Sequence, residues 1–260
     1  MPLTYASYLK IDELLSLQHR VSDGPEHDEM LFIVIHQVYE LWFKEVLHEL
    51  GYLMDSLTRN DTPTASHTFK RILTILKVMV AQIDVLETMT PLDFLSFRER
   101  LESGSGFQSH QFREFEFMLG AKRASMIEYH PEGSTGRTRL EARYREPTLW
   151  DAFLRYLKAN GYDVDKAITA RDVTRPVEPS DEVQQVLIDV YRNDPTAAQI
   201  CERMVDLDEG VQEWRYRHVQ MVRRTIGTKR GTGGTSGAEY LATTLGKPVF
   251  PDLWAIRTAL

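Results

Sequence analysis

The sequence predicts an all-α protein, and three observations lead to that prediction. Long stretches of the 260-residue chain repeat apolar residues at about the 3.6-residue helical period. Alternation of the kind that marks strands is scarce. The segments that interrupt the helical pattern are short and rich in glycine, serine or proline. We therefore expect a helical bundle with additional helices.

The helical segments follow one another along the whole chain. Thr62 and Pro63 suit the start of a helix, because proline is favoured in the first helical turn. The short breaks do not resemble interdomain linkers, and no internal repeat is visible, so we expect one domain over residues 1–260. The predicted helices cover 28–58, 62–89, 92–101, 107–120, 148–160, 181–192 and 195–226. The breaks are 102–106, 130–137, 173–181 and 227–237.

Composition excludes several classes of protein. Lys and Arg number 31 against 38 Asp and Glu, and no basic stripe occurs, so nucleic acid is not an expected partner. Cys201 is the single cysteine, which rules out an intramolecular disulfide and fits a reducing compartment. The first residues lack a signal-peptide pattern, and no apolar run reaches the roughly 18 residues of a membrane span. These features predict a soluble, cytoplasmic protein that does not bind membranes.

Two histidines interrupt apolar helical faces. His36 lies on a stripe formed by residues 32, 36, 39, 43, 46 and 50, and a helix that is apolar on most sides should be buried. His218 lies in the middle of a second apolar seam at 207, 211, 214, 218 and 221. A core histidine hydrogen-bonded to a neighbour explains either one alone. Two together suggest opposite walls of one cavity.

The metal chemistry of such a cavity is restricted by what else the sequence offers. A carboxylate-bridged di-iron site needs two Glu-x-x-His pairs, and Glu45–His48 is the one pair that we find. The zinc motif H-E-x-x-H is missing. A haem needs one axial imidazole and an apolar slot, with a polar group on the far side. The two histidine-bearing helices offer that set.

Two further features could bind a ligand. Arg98 follows Phe94 and Phe97 in a short amphipathic segment and could clamp a carboxylate, although a solvated surface arginine is the simpler interpretation. The loop "GTKRGTGGTSG" matches neither the Walker pattern nor the dinucleotide fingerprint. Its glycines would let Thr232 and the backbone approach a ligand, but a flexible connector would have the same composition.

Several motifs, in order along the chain, resemble the haem-dependent tryptophan 2,3-dioxygenase family. They are "LTYASYLKIDELL", "HDEMLFIVIHQVYELWFK", "LETMTPLDFLSFR", "SGFQSHQFRE", "WRYRHVQMVRRTIGTKRGTGGTSG" and "FPDLWAIRTAL". The resemblance implies an all-helical homotetramer that binds haem b between long helices. It also implies cleavage of the indole C2–C3 bond of L-tryptophan by O₂, which gives N-formylkynurenine.

The same resemblance implies a role for each matching residue. His218 would be the axial haem ligand, and Gly106 and Trp214 would also contact the haem. His36 would accept a hydrogen bond from the indole N–H. The substrate-binding residues would be Phe32, Phe94, Arg98, Thr232, Tyr5, Tyr8 and Leu9. The last three lie in segment 1–20, which in the family reaches into the pocket of a neighbouring subunit.

Two alternatives remain open at the level of sequence. Some relatives on this scaffold are monooxygenases that act on tryptophan or a substituted, for example β-methyl, tryptophan. His110 and Ser96 depart from the side chains that we expect at these positions in the dioxygenases. A haem-binding sensor or a purely structural bundle is the second alternative, but it would have no need for Arg98 or for the glycine-rich loop. The mass of the product distinguishes a dioxygenase from a monooxygenase. Turnover of an indole substrate distinguishes an enzyme from a sensor or a structural bundle.

Overall fold

The computed structural model describes residues 2–102, 104–231 and 237–260, and the described residues form helices without any strand. The prediction of an all-α fold is confirmed. The α-helices are α1 Tyr5–Leu9, α2 Ile11–Leu15, α3 Glu29–Thr58, α4 Thr62–Leu86, α5 Pro91–Arg98, α6 His110–Leu119, α7 Ser125–Glu128, α8 Thr135–Arg145, α9 Leu149–Ala159, α10 Lys166–Thr169, α11 Asp181–Asn193, α12 Pro195–Ile226, α13 Ala238–Ala242 and α14 Pro251–Ala255. Short 3₁₀ helices cover Glu99–Leu101, Gly106–Gln108 and Ile256–Thr258.

Three long helices, α3, α4 and α12, form the centre of the bundle. Helix α4 packs against both α3 and α12, and α9 and α6 cover other parts of α3. The apolar residues of the three helices recur every three or four positions, so each helix buries one continuous stripe. Fully buried members of these stripes are Leu50, Leu53, Leu57, Phe69, Ile72, Ile200, Met204 and Leu207.

Capping residues fix where two of the long helices, α4 and α12, begin. The Asp61 carboxylate accepts a hydrogen bond from the Thr64 amide at 3.2 Å, one residue before the predicted start of α4. Asp194 does the same for α12 by accepting from the amides of Thr196 and Ala197. In both helices a proline occupies the first turn, where its missing N–H costs nothing.

Two of the predicted segments differ from the structure. The predicted helix over 107–120 is a 3₁₀ turn followed by α6, because Ser109 leaves the helical conformation and caps α6 instead. Helix α8 was not predicted, and its first residues fall inside the predicted break at 130–137. Among its residues only Leu140 is buried, so α8 lacks an apolar stripe. The ammonium group of Lys122 stabilises α8 instead, by donating to carbonyls at its C-terminal end.

No helix in the described ranges has the length and apolar character needed to cross a lipid bilayer.

Candidate active site

One cavity lies between the long helices, and seven of the predicted site residues line it. Helix α3 contributes two of these residues and α5 another two, the 3₁₀ turn before α6 contributes one, and α12 contributes two. They are Phe32, His36, Phe94, Arg98, Gly106, Trp214 and His218. The two histidines, which are 182 positions apart along the chain by their numbers, therefore face the same space.

His36 is held in one orientation by its own helix. Its Nδ1 lies 2.6 Å from the carbonyl oxygen of Phe32, one turn earlier on α3. A carbonyl oxygen can only accept, so Nδ1 carries the hydrogen and Nε2 of the neutral ring is an acceptor. Burial lowers the pKa of His36, and the hydrogen bond to Phe32 and the charge of Glu40 offset this only in part. The ring is therefore neutral near pH 7 and offers an acceptor to the cavity.

Aromatic rings form the wall beside His36. The ring of Phe32 lies 4.1 Å from the imidazole of His36 and 5.8 Å from the ring of Phe94. Phe97 is fully buried behind them and meets Phe94 edge to face at 5.5 Å. Tilted and edge-to-face pairs at these distances are favourable, so the rings pack together as an apolar wall.

Arg98 lies at the C-terminal end of α5, where its guanidinium reaches the segment that follows α12. One Nη2–H group donates to the carbonyl oxygen of Arg230. The guanidinium has five N–H donors in all, so this bond leaves others for a ligand. Thr232, the predicted substrate contact two residues after Arg230, lies outside the described residues.

His218 faces the cavity from α12 and stacks on Trp214. The two rings are 5.1 Å apart and nearly parallel, at 5°. Burial, with smaller contributions from His36 and Arg113, lowers the pKa of His218 to about 4. The imidazole is therefore neutral near pH 7, which is the form that ligates a metal.

These residues fit a haem. Within the described part of the chain, neither ring nitrogen of His218 has a hydrogen-bond partner, so one of them is available as an axial ligand. No atom lies within 4 Å of the position that a Cβ would take on Gly106, so the backbone borders open space there. The described residues contain no group of three metal-binding side chains, and Glu45–His48 gains no second half-site. One imidazole on an apolar cavity suits a porphyrin iron better than a bare ion.

The predicted N-terminal contacts do not reach this cavity within one chain. Tyr5 and Tyr8 on α1 keep 77% and 69% of their surface exposed, and neither they nor Leu9 line the cavity. Their position fits a contact with another subunit, which stays a prediction.

Neither departure from the family pattern alters the cavity lining. The Ser96 hydroxyl donates to the carbonyl of Asp93 at 2.6 Å on the exposed side of α5. His110 lies beside α8, with its Nε2 3.9 Å from the Glu114 carboxylate. Both side chains are outside the cavity that contains His36 and His218.

A cluster of charged residues on the cavity wall was not predicted from the sequence. Arg113 and Glu116 on α6 meet Arg215 of α12, and all three line the cavity. Their charges are common in helical sequences, and Glu116 and Arg215 are 99 positions apart. No local spacing signals a contact of that kind. Tyr240 of α13, which also lines the cavity, was missed for the same reason.

Comparisons with known proteins agree with this arrangement. The family model described as tryptophan 2,3-dioxygenase matches residues 1–149 and 183–260. A tryptophan 2,3-dioxygenase of Herpetosiphon aurantiacus is 63% identical over 99% of this chain and 98% of its own length. A tryptophan 2,3-dioxygenase of Anaeromyxobacter sp. strain K is 58% identical over 99% of this chain and 96% of its own length. A tryptophan 2,3-dioxygenase of Caulobacter vibrioides is 44% identical over 99% of this chain and 98% of its own length. The chain belongs to the tryptophan 2,3-dioxygenase family.

Proposed function

We propose that this protein uses haem b and O₂ to open the indole C2–C3 bond of L-tryptophan, giving N-formylkynurenine. The observation that carries the proposal is the meeting of His36, Arg98 and His218 in one apolar cavity. The names of the relatives support it, because each is called a tryptophan 2,3-dioxygenase.

We assign the axial ligand of the haem to His218, with Trp214 stacked on its ring and Gly106 leaving room for the porphyrin. When bound, ferrous haem supplies the binding and activation of O₂. The protein contributes a largely apolar pocket, because aromatic and aliphatic side chains form much of the cavity surface. The remaining work is to hold the indole in one orientation.

Two polar groups would fix that orientation. Nε2 of His36 is an acceptor and would take the hydrogen bond of the indole N–H. Arg98 would bind the α-carboxylate with the N–H groups that do not contact Arg230, and Thr232 would contact the carboxylate or the ammonium group. Phe32 and Phe94 would pack against the indole ring. Catalysis by the protein is then mainly positioning.

We further propose that residues 1–260 form one domain and that segment 1–20 completes the pocket of a neighbouring subunit in a homotetramer. Two helices in this segment, α1 and α2, contain no buried residue. Large apolar side chains stay exposed there, among them Leu3, Tyr5, Tyr8 and Leu15. Exposed large apolar side chains concentrated in one segment are typical of an interface.

Product analysis tests the proposal. The haem-loaded protein is reduced anaerobically, L-tryptophan and then O₂ are added, and the product is identified by mass and by the absorbance of N-formylkynurenine. We expect both atoms of labelled O₂ in the product. A product with one added oxygen atom would instead assign the protein to the monooxygenases. Absence of turnover with reduced haem intact would favour a sensor.

A further inference from the structure

A second cavity lies between α3, α6 and α8, and it shares no lining residue with the central cavity. Its volume is about 340 Å³, which is within the range of small-molecule sites. Among the described residues, its charged lining consists of Lys44, Arg139, Arg143, Glu114 and Glu146. We call this cavity the α8 pocket.

The carboxylate of Glu114 is buried in the wall of the α8 pocket without a hydrogen bond. Its side chain is 6% exposed, and no donor from the described part of the chain bonds to Oε1. Nε2 of His110 lies 3.9 Å from Oε1, and Nε of Arg143 lies 3.9 Å from Oε2. Both separations exceed hydrogen-bonding distance. Because a buried carboxylate without donors is costly, Glu114 is suited to an N–H donor that a ligand brings.

Two cations of the α8 pocket have no carboxylate partner in the same chain. Lys44 on α3 and Arg139 on α8 are exposed, and neither forms an ion pair with a described residue. Arg143 differs, because its Nη1 donates to the Glu146 carboxylate at 2.6 Å. The pocket therefore combines cations that can bind an anionic group with a buried acceptor that can bind a cationic one.

This combination of charges indicates one class of ligand. A metal ion does not suit the pocket, because the described residues contain no group of three metal-binding side chains. An inorganic anion would bind Lys44 and Arg139 but would be repelled by Glu114. A simple amine would bind Glu114 but would add positive charge beside the two cations. An α-amino acid carries an ammonium group and a carboxylate on one carbon, so it satisfies both sides of the pocket.

We propose that the α8 pocket binds a free aliphatic α-amino acid as its zwitterion. The ammonium group would donate to Glu114, and the carboxylate would accept from Arg139 and Lys44. Gln111 would supply a second acceptor for the ammonium group. Its Nε2 donates to the Glu40 carboxylate at 2.8 Å, which leaves its Oε1 for the ligand.

The uncharged part of the α8 pocket sets the kind of side chain. It consists of Leu47 and Ala142, and Leu47 is partly buried against the main core. No aromatic ring of the described residues lines the pocket apart from the imidazole of His48. An aliphatic side chain therefore suits this pocket better than an indole. Binding there needs no haem, so the α8 pocket is independent of the proposed oxygenation.

Equilibrium dialysis of the haem-loaded protein with radiolabelled L-leucine tests the proposal. We expect L-leucine to bind at the α8 pocket of each chain. Two analogues of L-leucine each lack one charge, since 3-methylbutylamine has no carboxylate and 4-methylpentanoate has no ammonium group. Each analogue should bind more weakly than L-leucine by about tenfold or more, because charge-assisted hydrogen bonds are the strong ones.

Substitutions in the α8 pocket should act on one charge of the ligand at a time. Glu114→Gln should weaken L-leucine by about tenfold or more without weakening 4-methylpentanoate, which has no ammonium group to lose a partner. Arg139→Gln should weaken L-leucine and 4-methylpentanoate but not 3-methylbutylamine. Arg145→Gln is the matched control. It removes an exposed arginine of the last turn of α8 that does not line the pocket, and it should change none of the three affinities.

Circular dichroism establishes that each variant is folded. Arg139 is exposed and has no described ion pair, so Arg139→Gln carries the test if Glu114→Gln does not fold. Absence of L-leucine binding to the wild type would overturn the proposal, and so would equal affinities for L-leucine and its two analogues.

Binding of L-leucine in the central cavity is the competing outcome. In that case Arg98→Gln would abolish L-leucine binding, whereas Glu114→Gln and Arg139→Gln would leave it unchanged, and the proposal would be wrong. Binding that survives Arg98→Gln and is lost in the two α8-pocket variants supports it. The proposed function is judged by the product of tryptophan turnover, so its failure is distinguishable from a failure of L-leucine to bind.

Discussion

His36 shows how a single backbone contact gives a side chain a chemical role. Its Nδ1 is committed to the carbonyl of Phe32, so the free nitrogen is the acceptor Nε2. The sequence placed His36 on an apolar stripe, and that much follows from helical spacing. The tautomer depends on which way the ring turns about its side-chain bonds, and spacing contains no information about that rotation.

The two histidines should respond differently to removal. We expect His218→Ala to lose haem or to bind it without histidine ligation, because position 218 carries the proposed axial ligand. His36→Ala should keep the haem spectrum and lower kcat/KM for tryptophan by about 10- to 100-fold, since it removes only a positioning contact. Absorption spectra of both variants and steady-state kinetics check this. A normal histidine-ligated spectrum in His218→Ala would contradict the assignment.

Tryptophan affinity should depend on pH through His36. Protonation puts a hydrogen on Nε2, which can then no longer accept from the indole N–H. Burial holds the pKa of His36 below the ordinary 6.5. Tryptophan should therefore bind with full affinity above pH 6.5, and its affinity should fall as the pH drops through the lowered pKa. Titration of the haem-loaded protein with tryptophan across this range measures the effect. The affinity for 1-methyltryptophan, which has no indole N–H, should not show the same loss.

At the scale of elements, periodicity predicts a helix well when the helix buries a stripe. Helices α3, α4 and α12 lie close to their predicted bounds because each has apolar residues every three or four positions. Helix α8 buries only Leu140, and Lys122 caps its C-terminal end from a distant part of the chain. Support from outside a segment is invisible in the segment's own sequence, and the contacts that Glu116 makes with Arg113 and Arg215 were missed for the same reason.

Helix α12 is tied to the C-terminal segment by one buried carboxylate. Oδ2 of Asp208 accepts from the amides of Val249 and Phe250 at 2.9 and 3.0 Å, and from the indole N–H of Trp254 at 3.0 Å. Both amides are buried, so they lose the acceptor that Asp208 provides when the carboxylate is removed. The same helix carries His218. This contact therefore supports the helix that would hold the haem.

Replacement of Asp208 should be costly for that reason. We expect Asp208→Ala to lower the free energy of unfolding by about 3 kcal/mol, because it leaves buried donors without a partner. Asp206→Ala, two residues earlier on an exposed face, should change it by less than about 1 kcal/mol. Denaturant unfolding of the two variants measures the difference. Equal stability of the two proteins would show that the Asp208 contacts do not hold the C-terminal segment.

At the scale of the whole molecule, three residues that the family pattern assigns to the pocket do not line the cavity of their own chain. Tyr5, Tyr8 and Leu9 lie on α1, where no residue is buried. The sequence pattern named these residues, but a single chain cannot show what they contact. The proposed exchange would bring the exposed aromatic rings of α1 to the cavity of a second copy of the chain.

Mixed oligomers test this exchange. His36→Ala has an impaired cavity and an intact N-terminal segment, whereas Tyr5→Ala/Tyr8→Ala has the reverse. If the segment acts in the neighbouring subunit, co-expression of the two variants should restore roughly a quarter of wild-type activity. With random pairing, about half of the cavities contain His36, and about half of those receive an intact N-terminal segment from the neighbouring subunit. Light scattering should give the mass of four chains for the wild type and for each variant. Activity no greater than the sum of the two variants alone would mean that each N-terminal segment serves its own chain.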